Sequence, residues 1–406
     1  MQLERRCEKC GQMIPWGERE CPACGESVRF FWSMPRNELL LLSVLLLVIV
    51  FVITSFAVNA FRTKEQALGR QWYAAGEREL AAGHGEAALE DFRSALVYSP
   101  DDSRVELELA RALASAGRRS EAQAYLISLQ ENDPGNGMVN LELARLAADS
   151  GSVAEAVHYY QNSIYGQWAS NAGRRRRQAR VELAEFLLSA GRKPEAQAEL
   201  MALTADLPSD PALAVQAATL LLKTGEYENA SLLFRRALRL HPNDAQALPG
   251  LGEASFESGN YREARRYLSN AKRQGALSTH LQSLLDTANL ILEIDPLAPR
   301  LSAQERVRRS LWAFTQSMSR LSGCAAARGS SAGNGQQAPE LQDVNERASA
   351  LEPKVRQRNL AREPDLLLQV TDMAFEIERV TERVCGEPQG ADLALLLLSR
   401  AQGRNE

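Results

Sequence analysis

Small residues return at a fixed interval through the middle of this chain, and that interval constrains the fold more than any other feature. Gly76, Ala110, Ala144, Ala184, Ala218 and Gly252 form one series; Ala88, Ala122, Ala156, Ala196, Ala230 and Ala264 form a second, always twelve residues further on. A bulky series (Phe92, Leu126, Tyr160, Leu200, Phe234 and Leu268) keeps the same spacing. Every step is 34 residues except that between the third and fourth units, which is 40. Antiparallel helices approach closely only where small side chains let their backbones meet, with a bulky neighbour filling the space beside them. Glycines in 82–85, 116–118, 190–192, 224–226 and 258–260 supply left-handed stops between the two helices of a unit. Pro100, Pro134, Pro208 and Pro242 end the second helices. The pattern predicts an all-α solenoid of six helical hairpins over residues 69–278.

The residues that carry the pattern best are Trp72, Gly76, Ala88, Phe92, Ala95 and Pro100 in the first unit. Ala218, Ala230, Phe234, Ala237 and Pro242 do so in the fifth. On these the segment resembles tetratricopeptide repeats (TPR). The resemblance implies a right-handed superhelix whose concave groove binds a protein or peptide. It places groove positions at the second, fifth, ninth and twelfth residues of each unit, and so makes Arg70, Tyr73, Arg104, Arg111, Leu141 and Arg145 candidate partner-binding residues. Arg111 and Arg145, one period apart, either hold an acidic ligand or are ion-paired with neighbouring glutamates. Aliphatic groove positions such as Leu141, Val215 and Leu222 suit an apolar peptide equally well. The six extra residues fall in 167–177, where Arg174–Arg177 read as a solvated helix start or a contact for an anionic partner.

Ahead of the repeats, Cys7-Glu-Lys-Cys10-Gly and Cys21-Pro-Ala-Cys24-Gly form two C-x-x-C turns ten residues apart. Each turn aims two sulfurs at one ion, and the following glycine permits the tight backbone. Cys7, Cys10, Cys21 and Cys24 are therefore candidate ligands of a structural Zn²⁺ in a ribbon over residues 1–28; two disulfides are the alternative. With four protein ligands no coordination position is open for catalysis. The segment resembles the short bacterial zinc ribbons with a CPxCG knuckle.

From Leu39 to Val58 the chain carries no charge, which predicts a transmembrane helix over 38–60. Phe30, Phe31 and Trp32 are candidates for an interfacial belt. A cleaved signal peptide fits poorly, because the apolar run is long and a metal-binding segment precedes it. Arg62, Lys64, Arg70 and Arg78 after the span outnumber Arg29 and Arg36 before it, which by itself argues against an amino terminus inside. Thiolate zinc sites, however, belong in a reducing compartment, and Cys324 with Cys385 form a pair suited to a disulfide outside. The favoured topology is a bacterial inner-membrane protein with the ribbon cytoplasmic and the repeats periplasmic.

After the repeats, 279–296 reads as a capping helix and 300–406 as a helical C-terminal region with a flexible linker at 323–339. The four histidines, His84, His158, His241 and His280, sit in no nucleophile or metal motif, so no enzyme is expected. With 47 basic against 51 acidic residues there is no global field for nucleic acid, and Glu4, Glu8, Glu18 and Glu20 dilute the ribbon's Arg5, Arg6 and Lys9. The expected function is a membrane-anchored scaffold that binds partners in its groove. The alternative is a membrane quality-control or signalling regulator that couples groove occupancy to the ribbon.

Overall fold

The structure, a computed structural model, describes residues 5–15, 18–27, 36–275, 277–331 and 339–402. Phe30, Phe31 and Trp32 lie outside these residues, as does 332–338 of the expected linker. The chain divides into two units, Met1–Leu129 and Gln130–Glu406.

Unit 1 opens with a short antiparallel pair, β1 (Arg5–Arg6) and β2 (Met13–Ile14), in which Arg5 faces Ile14. There follow α1 (Arg36–Ala81), α2 (Gly85–Tyr98), α3 (Ser103–Ser115) and α4 (Arg119–Asn132). The apolar run and the first helix of the first repeat are one unbroken helix of 46 residues, about 69 Å long at 1.5 Å per residue. Every side chain from Leu40 to Ala60 is exposed, whereas further along Gly76 packs against Phe92 of α2 so closely that a Cβ there would sit 2.8 Å from the ring.

Capping chemistry explains why this helix does not stop between the two. The first helices of later repeats start where a side chain accepts backbone N–H groups: Asp102 for α3, Asn136 for α5 (Gly137–Asp149) and Asp210 for α9 (Pro211–Thr224). Asp244 does the same for α11 (Ala247–Glu257). In the first and fourth repeats that register position holds Leu68 and Arg176, which cannot cap. Both first helices run back past it: α1 into the apolar run, and the fourth repeat's helix to Ala172.

In unit 2, α5 is followed by α6 (Val153–Tyr165), α7 (Ala172–Ser189) and α8 (Lys193–Ala205), then α9, α10 (Tyr227–Leu240), α11 and α12 (Tyr261–Arg273). Gly83, Gly117, Gly151, Gly191, Gly225 and Gly259 all adopt positive φ, 73° to 86°, at the turn between the helices of a repeat. Ala156, Ala196, Ala230 and Ala264 are fully buried beside Tyr160, Leu200, Phe234 and Leu268. First helices stack on one another, α7 on α9 and α9 on α11, and so form the inner face; second helices lie outside. The longer α7 carries the four arginines: Arg176 donates to the Gly166 carbonyl at 3.0 Å and Arg177 pairs with Asp206 at 3.4 Å.

The C-terminal region is not a detached tail. It comprises α13 (Thr279–Ile294), α14 (Ala303–Ser331), α15 (Pro339–Leu351), α16 (Gln357–Leu360), α17 (Pro364–Cys385) and α18 (Gly390–Gln402). The helix expected to cap the solenoid, α13, is sandwiched between α12 and α18 and buries Leu285, Ala288 and Ile291. Phe256 and Tyr261 of the last repeat share one core with Phe314, Phe375 and Leu395, and the Tyr261 hydroxyl donates to the Leu397 carbonyl at 3.3 Å. The expected flexible linker is corrected in part: 323–331 continues α14, where Ala325–Arg328 favour helix although Gly323 and Gly329 each cost about 1 kcal/mol.

Candidate metal centre and inner repeat face

Both knuckles close in the same way. The amides of Gly11 and Gly25 donate to the carbonyls of Cys7 and Cys21 at 2.9 Å, and both glycines hold positive φ, 75° and 67°. The four sulfurs converge: Cys7 and Cys24 Sγ lie 3.5 Å apart, Cys10 and Cys21 3.6 Å, and all four fall within 4.8 Å of one another. A tetrahedron with 2.3 Å Zn–S bonds has edges of about 3.8 Å, so the donor set fits a tetrahedral thiophilic ion. Backbone amides of Cys10 and Lys9 pull the Cys7 thiol down to about 6. Cys24 is pushed up to about 12: the Glu26 amide works to lower it, but the sulfurs of Cys10, Cys7 and Cys21 outweigh that. Four thiolates this close repel, and a cation is what relieves them. Lys9 and Glu26, 2.8 Å apart, tie one knuckle to the other.

The six candidate groove residues behave differently from one another. In unit 1, Arg70 is exposed, Tyr73 stands edge-on to Phe92 with centroids 5.8 Å apart, and Arg104 forks onto Asp102 at 2.9 and 3.1 Å. Arg111 is ion-paired with Glu108 at 2.8 Å. In unit 2, Leu141 is only 1% exposed and belongs to the core with Ala144 and Tyr160, so it is withdrawn as a groove contact. Its helix turns the fifth position toward α6 and α7 rather than toward the groove. Arg145 clamps Glu182 with two bonds of 2.8 and 2.9 Å and reaches Glu142 at 2.9 Å. Two carboxylates neutralise it, which removes it as a holder of an acidic ligand. The signal lay in the sequence as Glu108-Leu-Ala-Arg111 and Glu142-Leu-Ala-Arg145, an i,i+3 pair repeated in register. Sequence reasoning anticipated this pairing with neighbouring glutamates but did not name the acids. Glu142, Glu182, Glu185 (bonded to Gln216 at 3.2 Å) and Glu253 (3.8 Å from His280) give the inner face of unit 2 an acidic character.

At the far end, Cys324 of α14 and Cys385 of α17 form a disulfide with Cα atoms 5.9 Å apart. Beside it lies a buried polar cluster. Ser317 donates to Glu378 Oε1 at 2.8 Å; Arg320 stands 3.3 Å from Oε2 but donates to Thr381 at 2.7 Å and to the Gly386 carbonyl at 3.0 Å. Burial pushes the Glu378 carboxyl up to about 7; the Ser317 hydrogen bond opposes this, Asp392 adds to it, and Arg320 opposes it.

Such stacked helical hairpins define a repeat-solenoid protein. Residues 79–138 and 221–286 match the family profile described as tetratricopeptide repeat, and the hairpins in these stretches are of that kind. A protein of Escherichia coli O157:H7 that carries the name cellulose synthase operon protein C is 24% identical over 210 residues; the match covers 50% of this chain and 18% of that protein. PilF of Pseudomonas aeruginosa superposes with a TM-score of 0.42 at 17% identity, over 54% of this chain and 97% of that one. PilW, described as a type IV pilus biogenesis factor, gives 0.41 at 17%, over 53% and 98%. YrrB, described as a TPR protein with an unusual peptide-binding site, gives 0.38 at 18%, over 49% and 97%.

Proposed function

We infer that this chain is a single-pass membrane-anchored TPR scaffold of the bacterial inner membrane, with a structural zinc ribbon on the cytoplasmic side and repeats outside. Zn²⁺ is held by Cys7, Cys10, Cys21 and Cys24, and a protein or peptide partner docks on the inner repeat face. The observation that carries this reading is α1. Its apolar half is exposed over Leu40–Ala60 and long enough to cross a ~30 Å hydrocarbon core, while its other half is the first helix of the first repeat. A helix with no joint between anchor and scaffold holds the first repeat close to the membrane and raises the effective concentration of bound partners there. The Cys324–Cys385 bridge suits an oxidising compartment and the four thiols a reducing one, which supports the two sides assigned.

The topology is tested by labelling intact cells with a membrane-impermeant maleimide, with and without prior reduction. Cys324 and Cys385 should label only after reduction; labelling only after lysis overturns the assignment. Docking is tested by crosslinking and recovery of partners with Glu185→Arg and Glu253→Arg, both on the inner face. Recovery should fall several-fold, and undiminished recovery removes this face from the site.

A further inference from the structure

The second helices of the fifth and sixth repeats concentrate positive charge in a chain whose net charge is −4. Between α10 and α12, on the face opposite the acidic inner side, lies a trough of about 580 Å³. Arg235, Arg239, Arg266 and Arg273 line it, and no carboxylate is among its described lining residues. Arg235 is neutralised by Glu263 on the neighbouring helix. The other three meet no carboxylate among the described residues: Arg273 donates to the neutral Asn270 amide oxygen at 3.2 Å, Arg266 lies over the Tyr267 ring at 5.4 Å, and Arg239 is exposed. Its apolar lining includes Leu238, Pro242 and Leu248, of which Pro242 is exposed, Leu238 half-buried and Leu248 buried. Outer helices of a solenoid splay apart, which opens such troughs, and like charges gathered in one attract an oppositely charged ligand.

We propose that this trough is a second docking site, which takes an acidic segment of a partner protein with an apolar side chain seated on the Leu238–Pro242–Leu248 lining and carboxylates on Arg239, Arg266 and Arg273. The arginine fork matches carboxylate geometry, and the exposed rim lets it reorient toward a ligand. A flat bilayer surface would meet the exposed arginines but not the half-buried Leu238 or the buried Leu248. A free phosphate has no use for an apolar lining. The site lies on the opposite side of the repeats from the inner face, so a ligand seated there leaves the inner face open.

The test uses the full-length chain in neutral detergent and a short fluorescein-labelled peptide of glutamate and aspartate around a leucine pair, read by fluorescence anisotropy. Binding should weaken with added salt. Arg239→Glu with Arg266→Glu should weaken it about tenfold, or 1.4 kcal/mol, as two exposed ion pairs become repulsive. Both residues are exposed, and unchanged hydrogen exchange in α10 and α12 verifies that the variant is folded. Glu185→Arg on the inner face should leave this affinity unchanged. Absence of peptide binding, equal affinity in the double variant, or equal binding of a lysine counterpart overturns the proposal. It is also overturned if the wild type, but not the double variant, binds phosphatidylglycerol vesicles or a single-stranded oligonucleotide in preference to the peptide.

Discussion

The two ends of the molecule both depend on cysteine, yet they use it in opposite ways. At the amino end the buried core among the described residues is Cys7, Ile14 and Cys21, little apolar surface to fold on, and on the proposed reading a bound ion would supply the remaining stabilisation. At the carboxyl end Cys324 and Cys385 are bridged beside a core that already contains Leu321, Leu341, Val344, Ala348, Ile377 and Val380. In the first region the sulfurs take the place of a core; in the second they reinforce one. The difference also sets the conditions each end tolerates, since thiolates and a disulfide require opposite redox surroundings.

The sharpest way to break this comparison is to remove the metal. A chelator, or Cys7→Ser, should abolish hydrogen-exchange protection at the Cys7 and Cys21 amides, whose bonds to the Gln12 and Glu26 carbonyls close the knuckles. The repeats should keep theirs. Zinc content, read by atomic absorption, should fall with the protection. Knuckle amides that stay protected in chelator would mean that the ribbon folds without an ion, and the contrast between the ends would collapse.

The bridge comes next. Its 61-residue separation corresponds to about 4 kcal/mol of loop-closure entropy in the chain-entropy model. Cys324→Ser with Cys385→Ser should accelerate exchange in α15 and the carboxyl half of α17 while leaving α9–α12 nearly unchanged. Complete loss of structure from Ala303 onward would show that the bridge, and not the apolar cluster, organises this end.

Much of this was legible before any coordinates. The alanine and bulky series fall on buried positions, because close helix packing permits little else, and the doubled C-x-x-C spacing brings four sulfurs together, because the turns are local. Three features were not legible, each for a physical reason. The junction at residues 60–69 looked like a boundary because polarity changes there; helix propensity is indifferent to polarity, and Leu68 offers no cap. Leu141 was assigned to the groove by its place in the repeat, but the equivalent Val181 and Val215 are buried as well, so in these repeats the fifth position packs between helices. The packing of α17 and α18 onto the last repeat joins residues such as Tyr261 and Leu397, and no local pattern encodes a contact that distant.

The smallest expected effect tests what else the carboxyl end needs besides its bridge. Glu378 is wholly buried and faces Ser317 and Arg320 from α14, Thr381 on its own helix and, beyond Arg320, Asp392 of α18. Its carboxyl is raised to about 7 from an ordinary value of 4.5, chiefly by burial. A raised acid means that the folded state holds a proton the unfolded chain has released. That contribution to stability is complete below pH 4.5 and is lost as pH rises through 7. At pH 8 the buried charge costs about 3 kcal/mol at most, since each pKa unit is worth about 1.4. Glu378→Gln keeps the hydrogen bond from Ser317 and removes the charge, so at pH 8 it should slow exchange in α14 and α17, and at pH 4 it should change little. Arg320 retains Thr381, Gly386 and Asp392 in the variant, so the arginine is not stranded. Parallel exchange profiles for variant and wild type across that pH range would mean that Arg320 already compensates the carboxylate in full, and the polar cluster would then be an ion pair rather than a protonated acid.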